Sequence, residues 1–135
     1  MGYKIDEIEG IGPVFAAKLG TAGITSTDHF LKLCCDKKGR EQVAEKTGIG
    51  EPQLLKWANM ADLMRIKGVA RQYGELLEAA GVDTVKELRT RVPENLAKKM
   101  IEVNTAKNLC KTPPTPELVK DWVEQAKTME PTITH

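Results

Sequence analysis

Few side chains in this 135-residue sequence have the type and spacing that covalent chemistry needs. His29 and His135 are the two imidazoles. His29 falls in the first turn of an expected helix, as a surface residue, and His135 in an expected loose tail spanning residues 130–135. Cys34, Cys35 and Cys110 form neither an even disulfide framework nor a CxxC pair. They read as small buried or half-buried thiols in a reducing compartment. Asp6, Glu7 and Glu9 cluster without a partner base. Lys18, Lys67 and Asp62 do not form a recognisable Lys/Asp pair for base excision. No nucleophile motif, no phosphate-cradling loop with Lys-Ser/Thr and no metal-ligand spacing is present. The expectation is therefore no enzyme, no cofactor and no metal.

What remains is non-covalent. Gly10-Ile11-Gly12, Gly48-Ile49-Gly50 and Gly68-Val69-Ala70 each feed a helix start. Such starts carry unpaired backbone N–H groups at the positive end of a helix dipole, which suits an anion. The three turns differ in their flanks. Glu9 and Val14 surround the first, with Lys18 one helical turn on. Glu51 follows the second, with Lys46 and Lys56 nearby. Arg65, Lys67 and Arg71 surround the third, and no acid adjoins it. The third turn is the best phosphate candidate, and the first two read more simply as structural turns.

Charge follows the same division. Net charge is +1, but residues 65–111 carry +4, against −1 for residues 1–64 and −2 for residues 112–135. Lys86, Arg89, Arg91, Lys98 and Lys99 extend the basic segment. A solvated helix surface explains it as readily as a phosphate-binding one.

The elements that position these turns repeat. A slide of 58 residues lays Ile8–Gly12 on Ile66–Ala70, Leu19 on Leu77, Ala22-Gly23-Ile24 on Ala80-Gly81-Val82, Ser26 on Thr84 and Phe30 on Leu88. Pro13 suits a first helical position. Gly23 and Gly81 suit left-handed helix ends. Ser26 and Thr84 suit N-caps, and Thr84 with Glu87 forms a capping box. The spacing predicts a helix over 27–34, a polar turn at Asp36-Lys37-Lys38-Gly39, a helix over 40–46 and another after Pro52. Val92-Pro93-Glu94-Asn95-Leu96 and its helix through Met100 and Ile101 read as the counterpart of Thr47-Gly48-Ile49-Gly50 and the helix through Ala58, without the glycines. Residues 8–31 should then superpose on residues 66–89. Ile11, Leu19, Ile24, Phe30, Val69, Leu77, Val82 and Leu88 should be buried.

Apolar-x-Gly-apolar-Gly before a helix resembles the hairpin of a helix-hairpin-helix motif. Two such pairs resemble the compact tandem domains of DNA repair, recombination and replication proteins. The Gly-Ile-Gly-Pro start and the run from Trp57 to Val69 are similar to a bacterial domain-of-unknown-function family, over roughly residues 4 to 128. The resemblance implies DNA backbone binding without sequence preference, through hairpin amides and the Lys or Arg that follows. It also implies hairpin carbonyls able to hold a bridging monovalent cation. The residues so implied are Gly10, Ile11, Gly12, Lys18, Arg65, Lys67, Gly68, Val69, Ala70, Arg71, Arg89, Arg91 and Lys98.

The whole reading is all-α, with 41% hydrophobic but only 4% aromatic residues to fill the core. Residues 1–64 and 65–111 form two tandem repeats, each a pair of helix-hairpin-helix units. Residues 112–135 supply a Pro-rich linker and a helix docked through Trp122. Neither a membrane span nor a secretory start is apparent, so the expected location is cytoplasmic. Two functions remain: a nucleic-acid module gripping phosphates, or a protein-docking scaffold that has lost DNA binding. Convergence of the basic side chains favours the first, and interleaved acids favour the second.

Overall fold

The computed structural model describes residues 2–134, so the expectation for His135 lies outside them. Among these residues there are eight α-helices and no strand; Lys4 and Ser26 form an isolated bridge. No helix is long and apolar enough to cross a membrane.

Local chemistry explains most helix boundaries. After a 3₁₀ turn at Ile5–Glu7, α1 (Pro13–Thr21) opens on proline. It closes at Gly23, whose φ of +81° lets the Ile24 N–H return to the Leu19 carbonyl at 3.0 Å. The Ser26 hydroxyl accepts from the His29 N–H and starts α2 (Thr27–Cys34). The later stretch repeats each step. α5 (Arg71–Ala79) ends at Gly81, with φ +95°, and the Val82 N–H reaches the Leu77 carbonyl at 2.9 Å. The Thr84 hydroxyl then caps α6 (Val85–Leu88). All eight residues expected inside at these matched positions are buried.

One boundary differs from the sequence reading. Asp36–Gly39 is no free turn: Asp36 caps the Gly39 N–H at 2.7 Å, and α3 runs Lys37–Thr47. Glycine is needed within this first helical turn, because a Cβ at Gly39 would collide with the Leu33 carbonyl oxygen.

Left-handed residues also stop the two helices that follow the short pairs. Gly48 (φ +74°) ends α3, and Asn108 (φ 53°) ends α7 (Pro93–Lys107). Then come α4 (Glu51–Leu63) and α8 (Pro116–Lys127). Each carries a buried indole beneath a glycine turn. Trp57 meets Phe15 edge to face at 5.1 Å, and Trp122 meets Tyr73 at 5.1 Å. A Cβ on Gly10 would stand 3.3 Å from Trp57 Nε1, and one on Gly68 would stand 3.2 Å from Trp122 Nε1. Buried side chains accordingly form two clusters, one from Ile5 to Met64 and one from Leu63 to Ala126.

Gly68 has φ +99°, a conformation costly for any residue with a Cβ. Gly68→Ala is expected to lower stability by roughly 1–2 kcal/mol. Urea unfolding followed by far-UV circular dichroism checks this, and an unchanged midpoint would contradict the strained turn.

The chain end also departs from expectation. Residues 130–134 do not fray. Ile133 joins the first cluster, and the Thr134 N–H donates to the Cys35 carbonyl at 2.8 Å. Arg40, only 3% exposed, donates to the Cys34 carbonyl at 2.9 Å and to the Thr134 carbonyl at 2.7 Å. A chain end that begins beside α8 thus returns to the first cluster. The Pro-rich segment is docked as well: Pro114 is buried, and the Tyr73 hydroxyl donates to the Thr112 carbonyl.

Candidate nucleic-acid interface

The Gly68-Val69-Ala70 turn follows the end of α4. Ile66 and Val69 are buried anchors, and the Val69 N–H returns to the Ile66 carbonyl at 3.0 Å. That leaves Lys67 and Gly68 exposed at the tip. Ala70, at the N-cap of α5, has no side chain able to cap. The N–H groups of Ala70, Arg71, Gln72 and Tyr73 therefore find no acceptor among the described residues. They open on a surface groove of ≈ 420 Å³ that Gly68 and Glu7 also line. An anion there would meet a helix terminus and free amides together.

The first turn, Gly10–Gly12, has the same local form. The Ile11 N–H returns to the Ile8 carbonyl, Gly10 has φ +94°, and Gly12 is the N-cap of α1. Arg71 joins the two turns. Its guanidinium donates to the Glu7 carbonyl at 3.0 Å and to the Asp6 carbonyl, and lies 3.7 Å from the Glu9 carboxylate. The turns thus stand side by side, separated by one arginine.

The basic side chains named from the sequence do not all converge. Lys67 is exposed and has no ion pair among the described residues. Arg71 is committed to the first turn. Arg65 is committed to Asp62, at 2.7 Å, and to the Glu130 carbonyl at 3.2 Å. Arg91 reaches the Gly81 carbonyl and Glu87, beyond the far end of α5. A nine-residue helix of about 13 Å separates that end from the Gly68 turn. Arg89 caps the C-terminus of α6, and Lys98 is an exposed residue of α7. Lys18 lies 5.8 Å over the Phe15 ring on α1. Acids stand among the cations instead: Glu7 and Glu9 at the paired turns, Asp62 behind them.

Residues 9–129 match the family model described as Domain of unknown function (DUF4332). The chain belongs to this family. No curated protein and no solved structure matches it. The matched span of this DUF4332 chain takes in the Gly10 turn, the Gly68 turn and α8 together.

Two supports of the DUF4332 site were not legible in the sequence. Gln125 of α8 accepts from the Lys67 N–H at 2.8 Å and donates to the Lys67 carbonyl at 3.0 Å. Asp62 accepts from the Val85 N–H at 2.8 Å, fixing the start of α6 from the end of α4. Neither leaves a local pattern, because donor and acceptor lie far apart in the chain. The thiols take no part. Burial pushes the Cys34 thiol up to about 12 and raises that of Cys110, so neither supplies a thiolate at neutral pH. His29 is exposed, as expected, and its Nδ1 lies 3.1 Å from the Thr25 hydroxyl.

Proposed function

We propose that this DUF4332 domain is a module for binding the DNA phosphate backbone without reading bases. It comprises two tandem repeats of paired hairpins, with α4 and α8 as the last helices of the two repeats. The carrying observation is the pair of glycine turns standing side by side, each leading into a helix N-terminus with unpaired amides. Phosphates at the two turns would be held by the amides around Gly10–Gly12 and Gly68–Tyr73, with Lys67 adding charge. Arg65 and Arg71 act as props. Arg89, Arg91, Lys98 and Lys18 lie at the margin.

With so few free cations, about two to three phosphates are neutralised. The slope of log affinity against log salt is then expected near −2 to −3. Lys67→Glu should weaken binding at least tenfold while leaving the helical content unchanged. Glu7→Gln with Glu9→Gln should tighten it. Fluorescence anisotropy with unrelated duplexes at several salt concentrations measures all three. An affinity no tighter than about 1 mM at 50 mM salt overturns the reading, since sequence-independent binders reach roughly 10⁻⁴ to 10⁻⁶ M at higher salt.

A specific observation favours a second reading. Glu7 and Glu9 sit at the paired turns and two of the arginines are internally engaged, so acids are interleaved as a protein-docking scaffold would have them. Failure of the DNA titration leaves that reading standing.

A further inference from the structure

A second concavity opens on the opposite flank of the first glycine turn. It measures ≈ 370 Å³ and lies where α1 and α4 meet α5 and the end of α7. That volume is at the lower end for small-ligand sites. Its floor is the edge-to-face pair Phe15 and Trp57. Trp57 is 2% exposed, and its indole N–H lines the cavity beside Gly10 with no acceptor among the described residues. Unlike the indole N–H of Trp122, it is not sealed from solvent, so an acceptor from outside can reach it.

Three carboxylates rim the cavity: Glu9 from the turn, Glu75 and Glu78 from α5. Glu9 faces Arg71 at 3.7 Å, and Glu78 faces Lys56 at 3.9 Å. Glu75 has no ion-pair partner among the described residues. Burial, then the charges of Glu9 and Glu78, raise its carboxyl above the usual range; Arg71 and Lys56 offset only part of this. Burial likewise raises Glu78. Three carboxylates thus stand against two lysines, Lys56 and Lys107, around an aromatic floor, with Glu75 the unpaired acid. Lys107, also at the rim, has no carboxylate partner among the described residues.

We propose that this cavity binds a basic amino acid, free or within a peptide. Its ammonium or guanidinium sits at Glu75 and Glu78, its aliphatic stem lies on Phe15 and Trp57, and its carbonyl or carboxylate accepts from the Trp57 indole N–H. A cation over the floor rings adds attraction. Lys107 neutralises a carboxylate where the ligand is a free amino acid. The proposal does not rest on DNA binding: Glu9 and Gly10 of the first turn line the cavity, but none of Lys67–Tyr73 does, and the proposed ligand contacts fall on Phe15, Trp57, Glu75 and Glu78.

Isothermal titration with L-arginine, agmatine, N-acetyl-arginine methylamide and L-norleucine tests it, together with ¹H–¹⁵N spectra of the two indole N–H groups. Trp122→Phe assigns the peaks. Arginine or the capped arginine is expected to bind with an affinity of about 1 mM or tighter and to shift the Trp57 peak alone. Stronger binding of arginine identifies a free amino acid, and stronger binding of the capped form identifies a residue within a chain. Agmatine, lacking the acceptor, should bind more weakly, and norleucine should not bind. Glu75→Gln with Glu78→Gln should weaken binding at least tenfold, a loss suited to a charge-assisted contact, and leave the thermal midpoint no lower. Glu45→Gln, on the exposed surface of α3, should change nothing. Equal binding of norleucine, persistence of binding in the Glu75/Glu78 double variant, or no binding of either arginine at about 10 mM would each overturn the proposal.

Discussion

Trp122→Ala is expected to lower the unfolding free energy by roughly 3–5 kcal/mol, the range for deleting a buried large aromatic. The indole is fully buried. It fills the space beneath Gly68, meets the Tyr73 ring at 5.1 Å and leaves its own N–H without an acceptor among the described residues. The loss is therefore one of packing, with no hydrogen bond forfeited. Trp122→Phe, which keeps most of the apolar volume and removes the unsatisfied donor, should cost markedly less. Because Gln125 follows by one helical turn and grips Lys67 on both backbone sides, the damage should spread to the Gly68 turn. Urea unfolding of both variants, with amide exchange at Lys67, gives the readout. A cost under about 1 kcal/mol for Trp122→Ala would mean that α8 is peripheral to the core.

What could be foreseen from the sequence was chemistry acting over a few residues. Pro13, Gly23, Gly81, Ser26 and Thr84 fix helix ends through their own backbone preferences or short side chains, and those ends lie where the sequence puts them. The docking of α8 was also legible, since an indole in an aromatic-poor amphipathic helix has few other places to go. Asp36–Gly39 was misjudged because glycine beside lysines looks like a turn. Its glycine answers instead to the Leu33 carbonyl, a contact between two helices.

The proposed repeat pairs the helix after Pro93 differently from the 58-residue slide. A single slide of 58 residues sets Trp57 on Thr115, whereas a slide of 65 sets Leu54, Trp57 and Ala61 on Val119, Trp122 and Ala126. The extra length sits in α7 and the Pro-rich segment, so no one register reveals both halves. In the proposed repeat, α7 answers to α3 and α8 to α4. The paired aromatic contacts, Phe15 with Trp57 and Tyr73 with Trp122, support that assignment.

The candidate site was legible only in part, and the arginines show why. Composition locates cations, but whether a guanidinium faces solvent depends on carbonyls elsewhere in the chain. Arg71 meets Asp6 and Glu7, and Arg40 meets Thr134, across most of the sequence in the second case. Guanidinium groups with several donors are well suited to such carbonyl clusters. A basic segment in a small helical protein can thus serve internal docking before it serves any ligand.

Asp62 should carry the other large effect. It is 1% exposed, with one oxygen on Arg65 at 2.7 Å and the other on the Val85 N–H at 2.8 Å. Asp62→Ala leaves a buried amide without its acceptor and a guanidinium without its counter-charge. Removing one member of a buried pair costs roughly 3–5 kcal/mol. Arg65 keeps 24% side-chain exposure and its bond to the Glu130 carbonyl, so water relieves part of this and about 3 kcal/mol is expected. Asp62→Asn separates the two roles. Its carbonyl oxygen can still accept from Val85, but its amide turns a donor toward Arg65, so an intermediate loss is expected. Arg65→Ala should cost less than Asp62→Ala, since it leaves the Val85 bond in place. Chemical unfolding of the three variants gives the order, and exchange of the Val85 amide locates the cause. Equal small losses, each under about 1 kcal/mol, would reduce the contact to a surface ion pair and remove Asp62 as the tie between α4 and α6.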